Sequence, residues 1–339
     1  MSTGFSRRDF LKLSALTLVG LAWPRSLTRR RGPQMAFPQG MQGRVAWDEV
    51  TVYAIPSREG QRRKMYWRDD VFPLEAAVIG DGEPEYNRIW YRIPGEGYVH
   101  SGPVQPVRTQ VQIPQPVPEG GGLAEVTVPY TDAYWHPRAD GRPVYRLYFA
   151  TVYRVTAQVV GEDGQAWYEI QDDKWDFKFY ALARHLRLLT LADVTPLSPT
   201  VPPEAKKVLV HLGKQLVLAF EHGRLVFAAR TATGMGLYRT PTGRFTTFHK
   251  RPYRHMARGN RANPAYDLPG VPWVCYITED GISFHGTYWH NDYGHPRSHG
   301  CINLAPQAAQ WLYRWTLPVV PFTQDYVYRK GEGTLVEIV

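Results

Sequence analysis

Cysteine is nearly absent from these 339 residues, which hold only Cys275 and Cys301. Two cysteines exclude a disulfide framework, although a single bond between them stays open for an exported chain. A bilayer-spanning run is missing as well. The apolar stretch Leu13–Trp23 falls short of the roughly 20 residues a membrane helix needs. A basic surface is also scarce once the start of the chain is set aside. Residues 1–31 carry seven Lys and Arg against Asp9, a balance of +6 within the formal net charge of +9. The remaining +3 is a poor footprint for nucleic acid, and no nucleic-acid partner is expected.

What is present is turn chemistry and aromatic bulk. Thirty Gly and 28 Pro stand beside 11 Trp and 21 Tyr, a mixture that suits short strands joined by many turns. The length allows two or three modest cores, so the expected fold is mainly β with several units. At the start, "SRRDFLK" followed by a short apolar run predicts an export leader over 1–31. The paired Arg7 and Arg8 make it similar to a twin-arginine signal. That resemblance implies transient membrane contact through the leader and a final place in the periplasm, the cell wall or the extracellular face.

Residues 44–108 read as short strands broken by "GDGEP" and "PGEG", and "IWYRI" with "GYVHSG" suggests the closing strands of a small SH3-like barrel. The Pro- and Gly-rich stretch 109–122 reads as a linker after a loose segment at 32–43 has opened the chain. A second unit, 123–199, reuses the pattern: "AWYEI" echoes "IWYRI", and 179–189 stands where "GYVHSG" stood. It is expected to be a diverged SH3-like β domain. Prolines in 195–205 end it.

The third unit opens with three apolar runs separated by "GK" and "HGR", the pattern of hairpins. "PWVCYITEDGISFHG" gives another strand pair about "EDG". One helix is predicted over 305–316, with Pro306 at its first position and Ala309, Leu312 and Tyr313 on its apolar stripe. "LPVVPF" and "GTLVEIV" read as late strands, which places the unit at 205–323 and a β extension at 324–339.

The chemistry concentrates in "HGTYWHNDYGHPRSHGCINL", residues 285–304. His285, His290, His295 and His299 with Asp292 offer metal donors, but no His-Glu-x-x-His helix frames them. A buried, inert Cys301 is another reading. Against it, Gly300 permits a tight turn that exposes consecutive backbone N–H groups, the donors an oxyanion needs. An imidazole at the end of "ISFH" beside the sulfur would lower its pKa and take its proton, which makes Cys301 a candidate nucleophile.

"SHGCINL" with the upstream "HG" of "FHGTY" resembles the active-site signature of the YkuD family of L,D-transpeptidases. Twelve residues separate His285 from Ser298, and "YRTPTGRF" is similar to the family's Thr-Pro-x-Gly segment at Thr240–Gly243. The resemblance implies a YkuD-like β-rich catalytic domain preceded by the two small SH3-like domains. It implies Cys301 as nucleophile, His285 as base and proton donor, and the Gly286 carbonyl as the group orienting His285. Some relatives have Ser at the place of Gly286. His299 and Asn303 would shape the pocket, Gly300 and Cys301 N–H groups would serve the oxyanion, and Ser298 would bond locally or touch substrate. His290 and His295 would be exposed loop residues.

By the same resemblance the substrate is a peptidoglycan stem peptide, attacked through a thioester without metal or organic cofactor, and the expected outcome is a 3–3 crosslink. Water as acceptor would make an L,D-carboxypeptidase, a lysine of an envelope protein would make an attachment enzyme, and an idle site would leave a wall-binding protein. The long basic insertion 249–270 is read as a flap over the stem peptide, lined by Tyr253, Arg258 and Tyr266.

Overall fold

The computed structural model describes residues 34–260 and 263–339, so the leader expected at 1–31 lies outside the described residues. Strand makes up 45% and helix 8%, which settles the mainly β class. The first unit contains β1 (Gln34–Ala36), β2 (Gln42–Val45), β3 (Glu49–Tyr53) and β4 (Arg62–Trp67). It continues with β5 (Val71–Pro73), β6 (Ala76–Ile79), β7 (Ile89–Ile93), β8 (Gly97–His100) and β9 (Val104–Val107). β1 pairs with β6, so the unit begins before residue 44; the segment expected to be loose is partly strand.

The second unit holds β10 (Gly122–Val126), β11 (Tyr130–Tyr134), β12 (Tyr145–Tyr148) and β13 (Val152–Val160). β14 (Ala166–Gln171), β15 (Lys178–Leu182) and β16 (Leu186–Leu188) complete its sheet, followed by a short helix α1 (Leu191–Val194). Its strand order is β12-β11-β15-β14-β13-β10-β16. The first unit runs β4-β3-β8-β7-β6 in one sheet, with β1 added at the β6 edge, and β5-β2-β9 in another. These connectivities coincide when β5 and β6 are taken as two halves of one strand. β13 is that strand unbroken: Val152–Val155 pairs with β10, and Arg154–Val160 pairs with β14, with a bulge between Val155 and Ala157. β7 and β14, the two sequence echoes, therefore occupy equivalent places.

The third unit is a pair of sheets. One comprises β17 (Lys206–His211), β18 (Leu216–Glu221), β19 (Arg224–Arg230) and β20 (Gly243–Thr246). The other contains β21 (His249–Asn260), β22 (Asn263–Tyr276), β23 (Ser283–Gly286) and β24 (Ile302–Leu304). Helix α2 (Pro306–Trp315) follows, then β25 (Val327–Tyr328) and β26 (Leu335–Ile338). α2 buries Ala308, Ala309, Leu312, Tyr313 and Trp315, while Trp311 stacks on Phe227 of β19 at 4.1 Å. The helix thus joins both sheets. Its C-terminal carbonyls are closed by two lysines: Lys250 Nζ donates to Tyr313 and Thr316 at 2.6 Å each, and Lys206 Nζ donates to Trp315 at 3.1 Å. Cations at this end complement the helix dipole.

Three expectations change here. Residues 317–322 form no strand, since Pro318 and Pro321 lack the N–H a ladder needs. The insertion read as a flap is a long strand pair, 249–260 against 263–276, with bulges that absorb its irregular sequence. The C-terminal segment is no appendage. β26 lies between β17, to which it is parallel, and β20, to which it is antiparallel, with Val336 and Ile338 in the core. Deleting residues 333–339 removes an interior strand. We expect loss of the cooperative thermal transition and near-ultraviolet circular dichroism of the third unit, whereas a native-like melt of the shortened chain would contradict this placement.

Candidate active site

β23 and β24 run parallel with Phe284 opposite Ile302 and His285 opposite Asn303. One step back, Ser283 is level with Cys301. Alternate residues of a strand share a face. Ser283, His285, Cys301 and Asn303 therefore occupy one face, while Phe284 and Ile302 enter the core on the other. Cys275 pairs with Phe284 and belongs to that core. The two cysteines lie on opposite sides of the sheet and both are free, which removes the disulfide reading. Among the described residues no cluster of three metal-type donors forms.

The turn before Cys301 is held from within and from behind. Gly300 adopts φ +110°, a left-handed conformation that favours glycine. Ser298 Oγ donates to the Cys301 carbonyl at 2.5 Å and accepts from the Gly300 N–H at 3.1 Å. Ser298 is buried and bonds locally, the first of its two expected roles, whereas the Gly300 N–H expected at an oxyanion is already taken. The cause is that a tight loop uses its own donors first. Thr240 Oγ1 donates to the Gly300 carbonyl at 2.7 Å and accepts from the Gly234 N–H at 2.9 Å. Gly234 is a residue the sequence reading missed. A Cβ there would stand 2.0 Å from the Tyr238 carbonyl oxygen and 2.8 Å from Gly300 Cα.

His285 is buried, and its Nδ1 donates to the Gly286 carbonyl at 3.1 Å. That bond leaves Nε2 as the basic nitrogen. Burial pushes the imidazole down to about 4, against the opposing pull of the Gly286 carbonyl. Gly286 has little room for a side chain, because a Cβ would lie 2.8 Å from Pro272 Cγ and 3.0 Å from Pro306 Cα. Burial pushes the Cys301 thiol up, with hydrogen bonds from Ser283 working the other way. Its sulfur lies 3.7 Å from Ser283 Oγ and 3.6 Å from the Gly281 carbonyl oxygen. Contrary to the expectation of a lowered thiol pKa, desolvation keeps the resting pair neutral. Ser283 was missed in the sequence, although its position two residues before His285 on a strand was the available signal.

His299 is exposed, with its ring 4.7 Å from Tyr238 and 6.0 Å from Tyr266. Asn303 faces inward and lies 3.0 Å from His290 Nε2. His290 lies in the connector loop as expected but is buried there: it is 5% exposed, and burial drives its pKa down to about 3. The Asp292 N–H occupies His290 Nδ1 at 3.2 Å, so Nε2 carries the proton and the Asn303 amide presents its oxygen. His295 is exposed as expected and stacks on Tyr86 at 4.8 Å. The connector between His285 and Ser298 docks on the first unit through Asn291, which bonds Tyr91 at 2.9 Å, and Asp292, which accepts from Tyr86 at 3.0 Å.

The β21–β22 hairpin is clamped by the second unit. Asp173 pairs with Arg254 at 2.9 Å and Arg251 at 3.2 Å and accepts the His255 N–H at 2.7 Å. Lys174 Nζ donates to the Ala257 carbonyl at 2.7 Å. The His255 ring is held between Asp172, at 2.6 Å, and Asp267 of the hairpin itself. Nothing local in the sequence marks this clamp. Tyr253 is buried in the core shared with the second unit's Leu123 and Val152, so it does not line the site. Strand alternation turned it inward. Arg258 and Tyr266 face each other near the hairpin end, both exposed, and Tyr266 is the one whose ring reaches His299.

Residues 205–338 match the family model of the YkuD L,D-transpeptidase catalytic domain. This part of the chain is a YkuD L,D-transpeptidase catalytic domain. The match reaches through β26, in agreement with the interior place of that strand. Among solved structures, the chain is similar to an L,D-transpeptidase from Mycobacterium smegmatis at 22% identity and TM-score 0.33, over 40% of this chain and 58% of that one. The catalytic domain of the E. faecium L,D-transpeptidase gives 24% and 0.31, over 40% and 96%. L,D-transpeptidase 3 from Mycobacterium tuberculosis gives 15% and 0.33, over 56% and 91%. The chain spans 58%, 49% and 50% of the first three solved relatives, about half their length. Among curated proteins, none matches the chain.

Two outcomes follow for this YkuD domain. Iodoacetamide should label Cys301 with a rate still climbing above the ordinary thiol range, and should leave Cys275 untouched until the protein is denatured. Peptide mass spectrometry reads both, and labelling of native Cys275 would contradict the face assignment. At His255, burial lowers the pKa, but hydrogen bonds and charge from Asp172 and Asp267 outweigh it and the net shift is upward. A raised histidine stabilises below its unfolded pKa, and the gain is lost as pH rises through the folded value. The melting temperature should therefore fall more steeply than in His255→Gln as pH rises above the ordinary histidine range. Parallel curves would contradict the clamp.

Proposed function

We propose that the chain is an exported peptidoglycan L,D-transpeptidase that acts through Cys301. The observation carrying this reading is the shared face of Cys301 and His285 on two parallel strands of a YkuD domain. The donor is a tetrapeptide stem. As Sγ forms its bond to the L-centre carbonyl carbon of the diamino acid, His285 Nε2 takes the thiol proton. The Cys301 N–H, beside the left-handed Gly300, is the backbone donor left to the oxyanion. Collapse of the tetrahedral intermediate breaks the bond to D-Ala, whose amine receives the proton from His285. A side-chain amine of a second stem then attacks the thioester, returns a proton through His285 and expels the thiol. The product is a 3–3 crosslink.

No hydrogen bond joins the imidazole to the thiol among the described residues. In free enzymes such bonds often tighten only when substrate is bound. Tyr238, Tyr266 and His299 form an aromatic cluster beside the loop that carries Cys301, and Arg258 stands ready for a stem carboxylate. We read both N-terminal units as SH3-like domains whose clear task is to hold the connector and the hairpin. Stem peptides are the partners of this reading, which places the protein outside the cytoplasm.

Purified protein given tetrapeptide muropeptides should release D-Ala and form dimers. Cys301→Ala should abolish both products, and His285→Ala should lower the rate by about 10²–10⁴-fold. Tripeptide monomers alone would select water as acceptor, and transfer to a lysine peptide would select protein attachment. Full activity in Cys301→Ala would overturn the mechanism.

A further inference from the structure

A cavity of about 800 Å³ opens beyond the ends of β23 and β24, where all three units meet, and not at Cys301. Its size is that of small-molecule sites. Tyr91, Gln112, Phe149, Arg230, His290 and Gln307 are among the residues on its wall, drawn from every unit and from the segment joining the first two.

One corner of this cavity is electropositive and has no counter-ion. α2 starts there with Ala305 as its N-cap, no side chain caps it, and Pro306 has no N–H. The N–H groups of Gln307 and Ala308 are left without intrahelical partners at the positive end of a ten-residue helix. The antiparallel bridge between Ala232 and Asn303, continued two residues, puts Arg230 opposite Ala305. Arg230 is 8% exposed, its Nε has no partner, and no carboxylate lies within ion-pair reach among the described residues. Its guanidinium donates from Nη2 to the Tyr86 carbonyl. Asp292 is the acid that attracts it, but that carboxylate is taken by Arg297, Asn87 and Tyr86. Burial lowers Arg230 to about 10, still charged at neutral pH.

We propose that this corner binds the carboxylate of a small ligand rich in amide and hydroxyl groups, which fills the remaining cavity. A buried cation and uncapped helix N–H groups recognise an oxyanion. The other acids on the wall are already matched, since Arg187 bonds Glu125 at 3.0 Å and Asp193 at 3.0 and 3.1 Å. Arg108 adds a further cation to the wall, and the remaining lining is neutral and suits amides and hydroxyls: Asn87, Ser101, Gln105 and Thr127, with Ile89 and Phe149 as apolar walls. His290 connects the cavity to Asn303 on the Cys301 face, so occupancy is placed to be felt at the reaction site.

Only the choice of probe rests on the proposed function: N-acetylmuramic acid, with N-acetylglucosamine as its analogue lacking the carboxylate. By calorimetry on the whole protein, the sugar acid should bind at least about tenfold tighter than the neutral sugar, a difference of about 1.4 kcal/mol. Inorganic phosphate should displace it. Arg230→Gln should weaken binding at least about tenfold, and Gln307→Trp, which fills the cavity and keeps the cation, should abolish it. Cys301→Ala should bind as the parent does, which separates this site from the transfer reaction. Absence of binding to the parent, equal binding of the two sugars, or unchanged binding in Gln307→Trp overturns the proposal, whatever the melting behaviour of Arg230→Gln.

Discussion

The parallel pairing of β23 with β24 is the constraint on which the site depends. Side chains alternate faces, so a slip of one residue would turn Cys301 into the core and bring Ile302 to the surface. The register is held from several directions. Thr231 Oγ1 donates to the Asn303 carbonyl at 2.8 Å, Ala232 exchanges backbone bonds with Asn303, and the Thr287 N–H donates to Leu304 at 2.9 Å. α2, anchored at its far end by Lys206 and Lys250, follows β24 directly and leaves that strand little freedom to shift. Cys301 is thus placed by sheet geometry, and its loop only sets the local turn.

Burial then decides the electrostatics. A thiol pushed up and an imidazole pushed down cannot form a stable ion pair at rest. In the proposed mechanism, proton transfer from thiol to imidazole therefore accompanies attack on the substrate carbonyl. The N-terminal units fit this picture as supports. One holds the connector through Asn291 and Asp292, and the other grips the hairpin through Asp172, Asp173 and Lys174. Leu123, Val152, Leu189 and Val194 of the second unit also join the core of the catalytic domain. Such an apolar seam resists the relative motion that is usual between domains.

Much of this was legible in the sequence because it rests on local patterns. Pro306 and the apolar stripe announced α2, the turn residues announced the β units, and "SHGCINL" with "FHG" announced the site. Other features depend on partners far along the chain. Tyr253 was misjudged because its burial involves the second unit, and His290 because the connector folds back on itself and on Asn303. The Gly300 N–H was assigned to the oxyanion, and Ser298 left open between local bonding and substrate, because a motif names residues without showing where their hydrogen bonds go. The clamp on His255 joins groups more than 80 residues apart. β26 looked terminal, yet a parallel strand can insert between others, and no short-range signal reports that.

The central claim is that Cys301 carries the acyl group. Intact-mass and peptide mass spectrometry of the protein mixed with a tetrapeptide donor, quenched in acid with no amine acceptor present, tests it most directly. The account predicts an adduct equal to the donor minus D-Ala, found on the Cys301 peptide and lost on treatment with hydroxylamine. An adduct on any other residue, or D-Ala release by the parent with no thioester at Cys301, would contradict it.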